Sequence, residues 1–413
     1  MHLNSKNESI LKSLLNTTVI VSSLGYFVDI YDLILFGIVR VPSLTELGVR
    51  GDALLKVGVL ILNMQMAGML IGGIIFGIWG DKKGRLSVLF GSIFLYSIAN
   101  LLNAFVTDVG VYAILRFVAG IGLAGELGAA VTLVSEVMTK ETRGYGTAIV
   151  ATVGVSGAIF AALIGEEFNW HIAYIIGGAL GLILLLLRLR MFESGMYKAL
   201  TSSNVRRGKF LKLFTSRDRF LRYLYCIMIG LPIWYVVGIL ISFSPEFGKV
   251  LGVKEPINAG NSILFTYTGL IFGDFASGFL SQFMKSRKKV VMIFIALTTV
   301  FIFVYLFSSG LSKNMFYGLC VALGISIGYW AVFVTTASEQ FGTNLRSTVT
   351  TTVPNFIRGS VVPITFAFLM LRPVFGMIHS ALIVGIISVL LAVFASYKLK
   401  ETYGKDLSFL ENI

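Results

Sequence analysis

This chain predicts an all-α membrane protein of twelve transmembrane helices in two six-helix bundles, and three observations carry that prediction. The first is bulk composition: of 413 residues 56% are hydrophobic and only 13% charged, with a mean hydropathy of +0.85. An ordinary soluble domain carries about twice that share of charge, and a soluble globule of this length could not hide so much apolar surface. The second is spacing, because apolar stretches long enough to cross a bilayer recur between short polar breaks. The third is an internal repeat: the two halves carry matching loop motifs.

The first stretch covers 14–39. It has no small-residue cleavage site and carries two carboxylates, so it reads as a retained helix and not a signal peptide. The next five cover 56–80, 86–106, 109–136, 144–165 and 171–190. The fourth is rich in Gly and Ala (Gly120, Gly122, Ala124, Gly125, Gly128), which makes a thin helix that neighbours can approach closely. A basic segment comes next, with a short surface helix expected around Ser194–Thr201. The last six stretches are 220–244, 258–283, 290–311, 314–339, 347–371 and 374–397. The eleventh holds Pro354 and Pro363 on either side of Arg358, and each proline removes a helical donor, so a kink is expected there. The organisation is a first bundle over 1–190, a linker over 191–219, a second bundle over 220–400 and a tail over 401–413.

The net charge of +13 would point to nucleic acid in a soluble protein, but its placement says otherwise. If the N-terminus is cytoplasmic, 25 of the 34 Lys and Arg fall on inner segments, 7 on outer loops, and Arg116 and Arg358 within spans. That bias places both termini and the linker inside, in the plasma (inner) membrane, with the basic face towards anionic lipid and no nucleic-acid partner. Cys226 and Cys320 lie in apolar runs, and His2, His171 and His379 are scattered, so neither a metal site nor a cofactor is expected.

The loop after the second stretch reads Gly77-x-x-Gly80-Asp81-x-x-Gly84-Arg85. The corresponding stretch after the eighth is Gly278-x-x-Ser281-Gln282, then Lys285 to Lys289. Glu136 precedes Arg143 by seven residues, as Glu339 precedes Arg346. Two halves with matching loops imply two bundles that rock about a site between them. Gly80, Asp81, Gly84, Arg85, Glu136, Arg143, Glu339 and Arg346 are therefore candidate gating residues, with Glu136–Arg143 and Glu339–Arg346 as ion pairs. Anchoring of topology alone is the competing reading, since exposed pairs are individually weak.

The Gly-x-x-Gly-Asp-x-x-Gly-Arg loop resembles the signature of the major facilitator superfamily, and the likeness extends over the whole chain in span count and repeat. Asp29-Ile-Tyr31-Asp32 with Gly37 is similar to the helix-one motif of aromatic-acid and phosphate proton symporters. Arg116-x-x-x-Gly120-x-Gly122-x-x-Gly125-Glu126 is similar to helix four of the metabolite:proton symporters, and Glu193-Ser194 to the sugar-porter-like branch. This resemblance implies proton-coupled transport of a small organic anion or zwitterion by alternating access. The chain departs at Gln282, where the pattern has Asp, and at Ile30, where aromatic-acid carriers have Gly.

A charged side chain at mid-bilayer costs about 3 kcal/mol or more, so ionisable residues there are site candidates by default. Asp29 and Asp32 lie roughly 60° apart on one helix. They are the expected proton site, with Arg116 as switchable partner and an Asp32–Arg116 pair within reach. A permanent ion pair joining helices one and four is the structural alternative. Arg358 is expected to take an anionic substrate group, because a guanidinium offers a planar fork to a carboxylate; pairing with Asp274 is the alternative. Glu126 could bind a cationic group, share the proton or pair with Arg116. Tyr31 and Trp330 are candidates for lining a cavity, and Asn63 for a polar contact there.

No nucleotide loop or nucleophile–base pair appears, so an enzyme is not expected and the energy source is a gradient. A proton-driven exporter of drugs or siderophore-like compounds uses the same residues and is the nearest rival; a non-transporting membrane sensor is the remoter one. The expected partners are a small-molecule substrate, a proton and the bilayer, in a monomer.

Overall fold

The computed structural model describes residues 17–83, 85–137, 143–193, 210–404 and 411. Among them all regular structure is helical. The first half runs through α1 (Thr17–Glu46), α2 (Ala53–Lys83), α3 (Arg85–Asn103), α4 (Val109–Leu123), α5 (Glu126–Val137), α6 (Arg143–Glu167) and α7 (Trp170–Glu193). The second runs through α8 (Arg217–Tyr235), α9 (Ser244–Val250), α10 (Ala259–Phe283), α11 (Arg287–Phe307), α12 (Lys313–Ile327), α13 (Trp330–Glu339), α14 (Thr343–Gly359) and α15 (Val361–Lys398).

Ten stretches are long and apolar enough to cross a membrane; one of them, Thr348–Lys398, holds both of the last two crossings, and the shorter apolar run Ser87–Asn103 completes twelve. Large apolar side chains point outward where lipid would lie: Phe272, Phe279 and Phe283 on α10, and Phe366, Met370 and Val374 on α15. At helix starts, Asp108, Asn258, Ser286 and Ser312 each accept a backbone N–H that the helix cannot satisfy itself.

The repeat is visible in how helices touch. A Cβ on Gly120 would overlap the Gln65 carbonyl, and one on Gly68 the Phe117 carbonyl, so α2 and α4 meet backbone to backbone. In the second half Gly324 meets the Thr266 carbonyl and Gly269 that of Val321, which puts α10 and α12 in the same relation.

Among the described residues four crossings are broken. The fourth stops at Ala124–Gly125 between α4 and α5, and the tenth at Gly328–Tyr329 between α12 and α13. The seventh passes from α8 into a π-helical turn, Val236–Ile241, soon after Pro232. The eleventh breaks at Ser360, two residues past Arg358, where Pro363 has no N–H to offer the Gly359 carbonyl. The expected kink is there.

Two boundaries differ from the sequence reading. Arg40, assigned to an outer loop, lies inside α1, which runs on to Glu46 through Pro42. The turn between the last two crossings falls at Gly376 (φ 71°) and not at 372–373. The surface helix expected around 194–201 lies outside the described residues, as does Gly84. The side chains of Gly80, Asp81, Arg85, Glu136 and Arg143 lie outside them too, although the backbones of all five are helical.

At the end of the bundle away from the first residue of α1, the halves are fastened together. Both Arg40 terminal nitrogens bond Glu246 at 2.7 Å, and Arg372 bonds Asp52 at 2.7 Å. Deeper in, Asn355 donates to the Ala124 carbonyl at 2.8 Å, satisfying across the halves an acceptor beside the break in the fourth crossing. The halves are therefore closed against each other at this end.

Candidate functional site

Asp29 sits on α1 where that helix faces the second half. Its nearest opposite charge is Arg358, with Nη1 to Oδ2 at 3.9 Å. A charge-assisted hydrogen bond would be about 2.7–2.9 Å, so the two groups face each other without bonding. Both carboxylate oxygens of Asp29, and Nε and Nη1 of Arg358, have no hydrogen-bond partner although both residues are at most 1% exposed. The guanidinium lies 5.9 Å from the ring of Trp234 and 5.9 Å from that of Trp330, and the Trp234 indole N–H is also unpartnered. Donors from the second half thus confront an acceptor pair from the first between two indole rings. Each such buried group costs about 1–3 kcal/mol while unbonded, and a ligand carboxylate would satisfy several at once.

Asp32, three residues on, points elsewhere. A Cβ on Gly177 of α7 would strike its Oδ1, which places the carboxylate inside the first half. Arg116 is an electrostatic neighbour there, but the expected Asp32–Arg116 pair is not made. Arg116 instead bonds the side-chain oxygen of Asn100 on α3 and stacks its guanidinium 4.8 Å from the Tyr174 ring. Asn100 is an electrostatic neighbour of Asp32 as well. The two aspartates, expected to act as one site, stand in two environments.

Glu126 opens α5 immediately after the break, and Arg116, which bonds Asn100, is not its partner. It is gripped by both terminal nitrogens of Arg188 on α7, with Nη1 to Oε2 at 3.1 Å and Nη2 on Oε1. Arg188, a linker residue on the charge count, is buried and only 4% exposed.

Trp330, a candidate for lining a cavity, lies beside Arg358. Tyr31 belongs to the Asp32 side, its hydroxyl donating to the Ala173 carbonyl at 2.8 Å and its ring packing on Phe160. Asn63 accepts from Thr365 at 2.7 Å, a bond between the halves. Asp274 does not pair with Arg358: it caps the start of α13 by accepting the Ala331 N–H at 3.1 Å. Glu339 faces Arg287 at 3.4 Å and Thr402 at 2.7 Å in place of Arg346, whose guanidinium reaches the Ser338 and Phe341 carbonyls. Gln282, at the position where the first half has Asp81, takes the Tyr403 hydroxyl at 3.2 Å.

Sequence reasoning missed Arg188, Asn100 and the Arg40–Glu246 pair, and did not single out Trp234. An arginine flanked on both sides by apolar residues, as in Leu187-Arg188-Leu189 and Val39-Arg40-Val41, was the available signal.

Known proteins resemble this chain over nearly its whole length. The profile of the Major Facilitator Superfamily matches residues 22–364. A putative niacin/nicotinamide transporter of Bacillus subtilis is 26% identical over 378 residues, covering 89% of this chain and 92% of that protein. A gentisate transporter of Corynebacterium glutamicum is 25% identical over 276 residues, 61% of each chain. The crystal structure of a D-xylose-proton symporter superposes with a TM-score of 0.70 at 15% identity, covering 94% of this chain and 98% of that one.

Proposed function

The chain belongs to the major facilitator superfamily, a family of transporters and not enzymes, and on that premise we propose that it is a proton-coupled symporter of a small organic anion. The observation that carries this reading is Arg358 facing Asp29 at 3.9 Å between two indole rings, with unbonded donors on one side and unbonded acceptors on the other. A substrate carboxylate entering there takes the guanidinium fork. Asp29 then loses its counter-charge in a buried site, where a lone ionised carboxylate is costly, and takes up a proton. Anion and proton are thereby bound together. The flanking indoles favour a flat ring beside the carboxylate, and niacin and gentisate, named for two relatives, are both flat aromatic acids.

Asp32 and Arg116 form the second proton-handling pair on this reading: Arg116 exchanges Asn100 for Asp32 as the halves move. The Lys and Arg bias supports a plasma-membrane protein with both termini in the cytoplasm. The Arg40–Glu246 end is then the outer gate, while Gly80 to Arg85, Glu136, Arg143, Glu339 and Arg346 lie at the inner one. The passage lies within one chain, which supports a monomer. Each bundle moves as a body against the other, with breaks at 191–219 and after 400.

The test is uptake into proteoliposomes under an imposed pH gradient, across nicotinate, gentisate, benzoate, proline, betaine and a hexose. An inward proton gradient is expected to drive uptake of an aromatic carboxylate. Uptake of none of these, or uptake indifferent to the gradient, overturns the reading; extrusion into the acidic compartment establishes the exporter.

A further inference from the structure

The buried pair Glu126–Arg188 has no part in the exchange between Arg358 and Asp29, yet its position relates it to that exchange. Glu126 is fully buried and held by both ends of the Arg188 fork. The pair presses on Gly25 of α1: any Cβ there would collide with Glu126 Oε1 and Arg188 Nη2 together. Gly25 is one turn before Asp29 on the same face of the helix, about 6 Å along its axis. Asp32, Asp29 and Glu126 therefore step along α1 towards the end carrying its first residue, each with one arginine near it: Arg116, Arg358 and Arg188.

Tyr96 of α3 is the second observation. It is wholly buried, its hydroxyl has no hydrogen-bond partner, and Glu126, Asp32, Arg188 and Asp29 are all within its electrostatic reach. The neighbouring α6 has no ionisable side chain between Tyr145 and Glu166, and α14 presents Thr351 at Gly128 and Asn355 at Ala124.

We infer that Glu126 is the release station for the coupled proton, with Tyr96 as the hydroxyl between it and Asp29 and Arg188 as its positioning partner. When substrate leaves and Arg358 returns to Asp29, the Asp29 carboxyl gives up its proton. The Tyr96 hydroxyl passes one on in relay, Glu126 gains it and parts from Arg188, and water at the opened end takes it. One O–H bond breaks and one forms at each step, and no charge is created.

This inference rests on the proton-symport reading, so the experiment separates the two. Nicotinate is the probe, in two assays on reconstituted protein: exchange at equal pH, and accumulation under a pH gradient. Glu126→Gln is expected to lose accumulation at least tenfold while exchange falls no more than about threefold, and Tyr96→Phe to slow accumulation less. Accumulation at the wild-type level in Glu126→Gln overturns the inference, as does a parallel loss of both activities, the mark of a merely structural pair. If Glu126→Gln does not fold, the double replacement Glu126→Gln with Arg188→Met removes both charges, and the same outcomes are read from it. If the wild type takes up no nicotinate, the two assays use whichever of the six probes it does take up; if it takes up none of them under the gradient, the functional reading falls by itself. Infrared carboxyl bands on acidification then decide for Glu126: a band lost in Glu126→Gln supports it, and superimposable spectra overturn it.

Discussion

The fourth and tenth crossings are broken at corresponding places, Ala124–Gly125 and Gly328–Tyr329, yet the helices beyond the two breaks are opposite in character. After the first, α5 opens with Glu126, locked to a buried arginine. After the second, α13 opens with Trp330, and the nearby acid, Asp274, is spent on capping that helix. The glycine contacts of α2 on α4 and α10 on α12 show the same scaffold in both halves. The chemistry was not kept in duplicate. The first half holds Asp29, Asp32 and Glu126, while the second presents Arg358 with two indoles.

Six substitutions, in four tests, would break or sharpen that contrast. The largest effect is expected from Arg358→Lys, which keeps the charge and removes the fork: initial uptake of nicotinate under a pH gradient should drop about 100-fold. Near-normal uptake would reduce the second half's role to charge alone. Next, Asp29→Asn and Asp32→Asn should each lower gradient-driven accumulation about tenfold or more; unchanged accumulation in both would remove the proton from the first half. Third, Gly120→Val and Gly324→Val should each cost about 1–3 kcal/mol by forcing packed helices apart, read as matching falls in the melting temperature of the detergent-solubilised protein. A fall in only one would show the scaffold less symmetric than its contacts. The smallest effect belongs to Asp274→Asn, which keeps an oxygen for the Ala331 N–H; transport should stay within about threefold. A loss as large as that of Asp29→Asn would move proton chemistry into the second half.

Much of this is legible in the sequence. Hydropathy locates all twelve crossings, paired prolines mark the break beside Arg358, and the cost of charge in lipid singles out Asp29, Asp32, Arg116, Glu126 and Arg358. Partners are not legible. Apolar runs report depth and say little about azimuth, so two aspartates 60° apart read as one site although α1 sits at a corner between the halves. Arg116 finds Asn100, and Arg358 finds Asp29, because those choices depend on which neighbouring helix comes closest. Arg40 and Arg188 read as water-exposed because arginines near the ends of apolar runs mark loops more often than interiors.

The Arg40–Glu246 clasp carries a consequence for the cell. Its arginine is 1% exposed and also bonds the Ser242 carbonyl at 3.3 Å, so parting the halves strips that buried charge of its hydrogen-bond partners in the second half at once, leaving only the Leu54 carbonyl on its own side. With that seam fastened, the two halves are shut against each other at this end. On the proton-symport reading, a membrane can then hold many such copies at rest without draining the gradient.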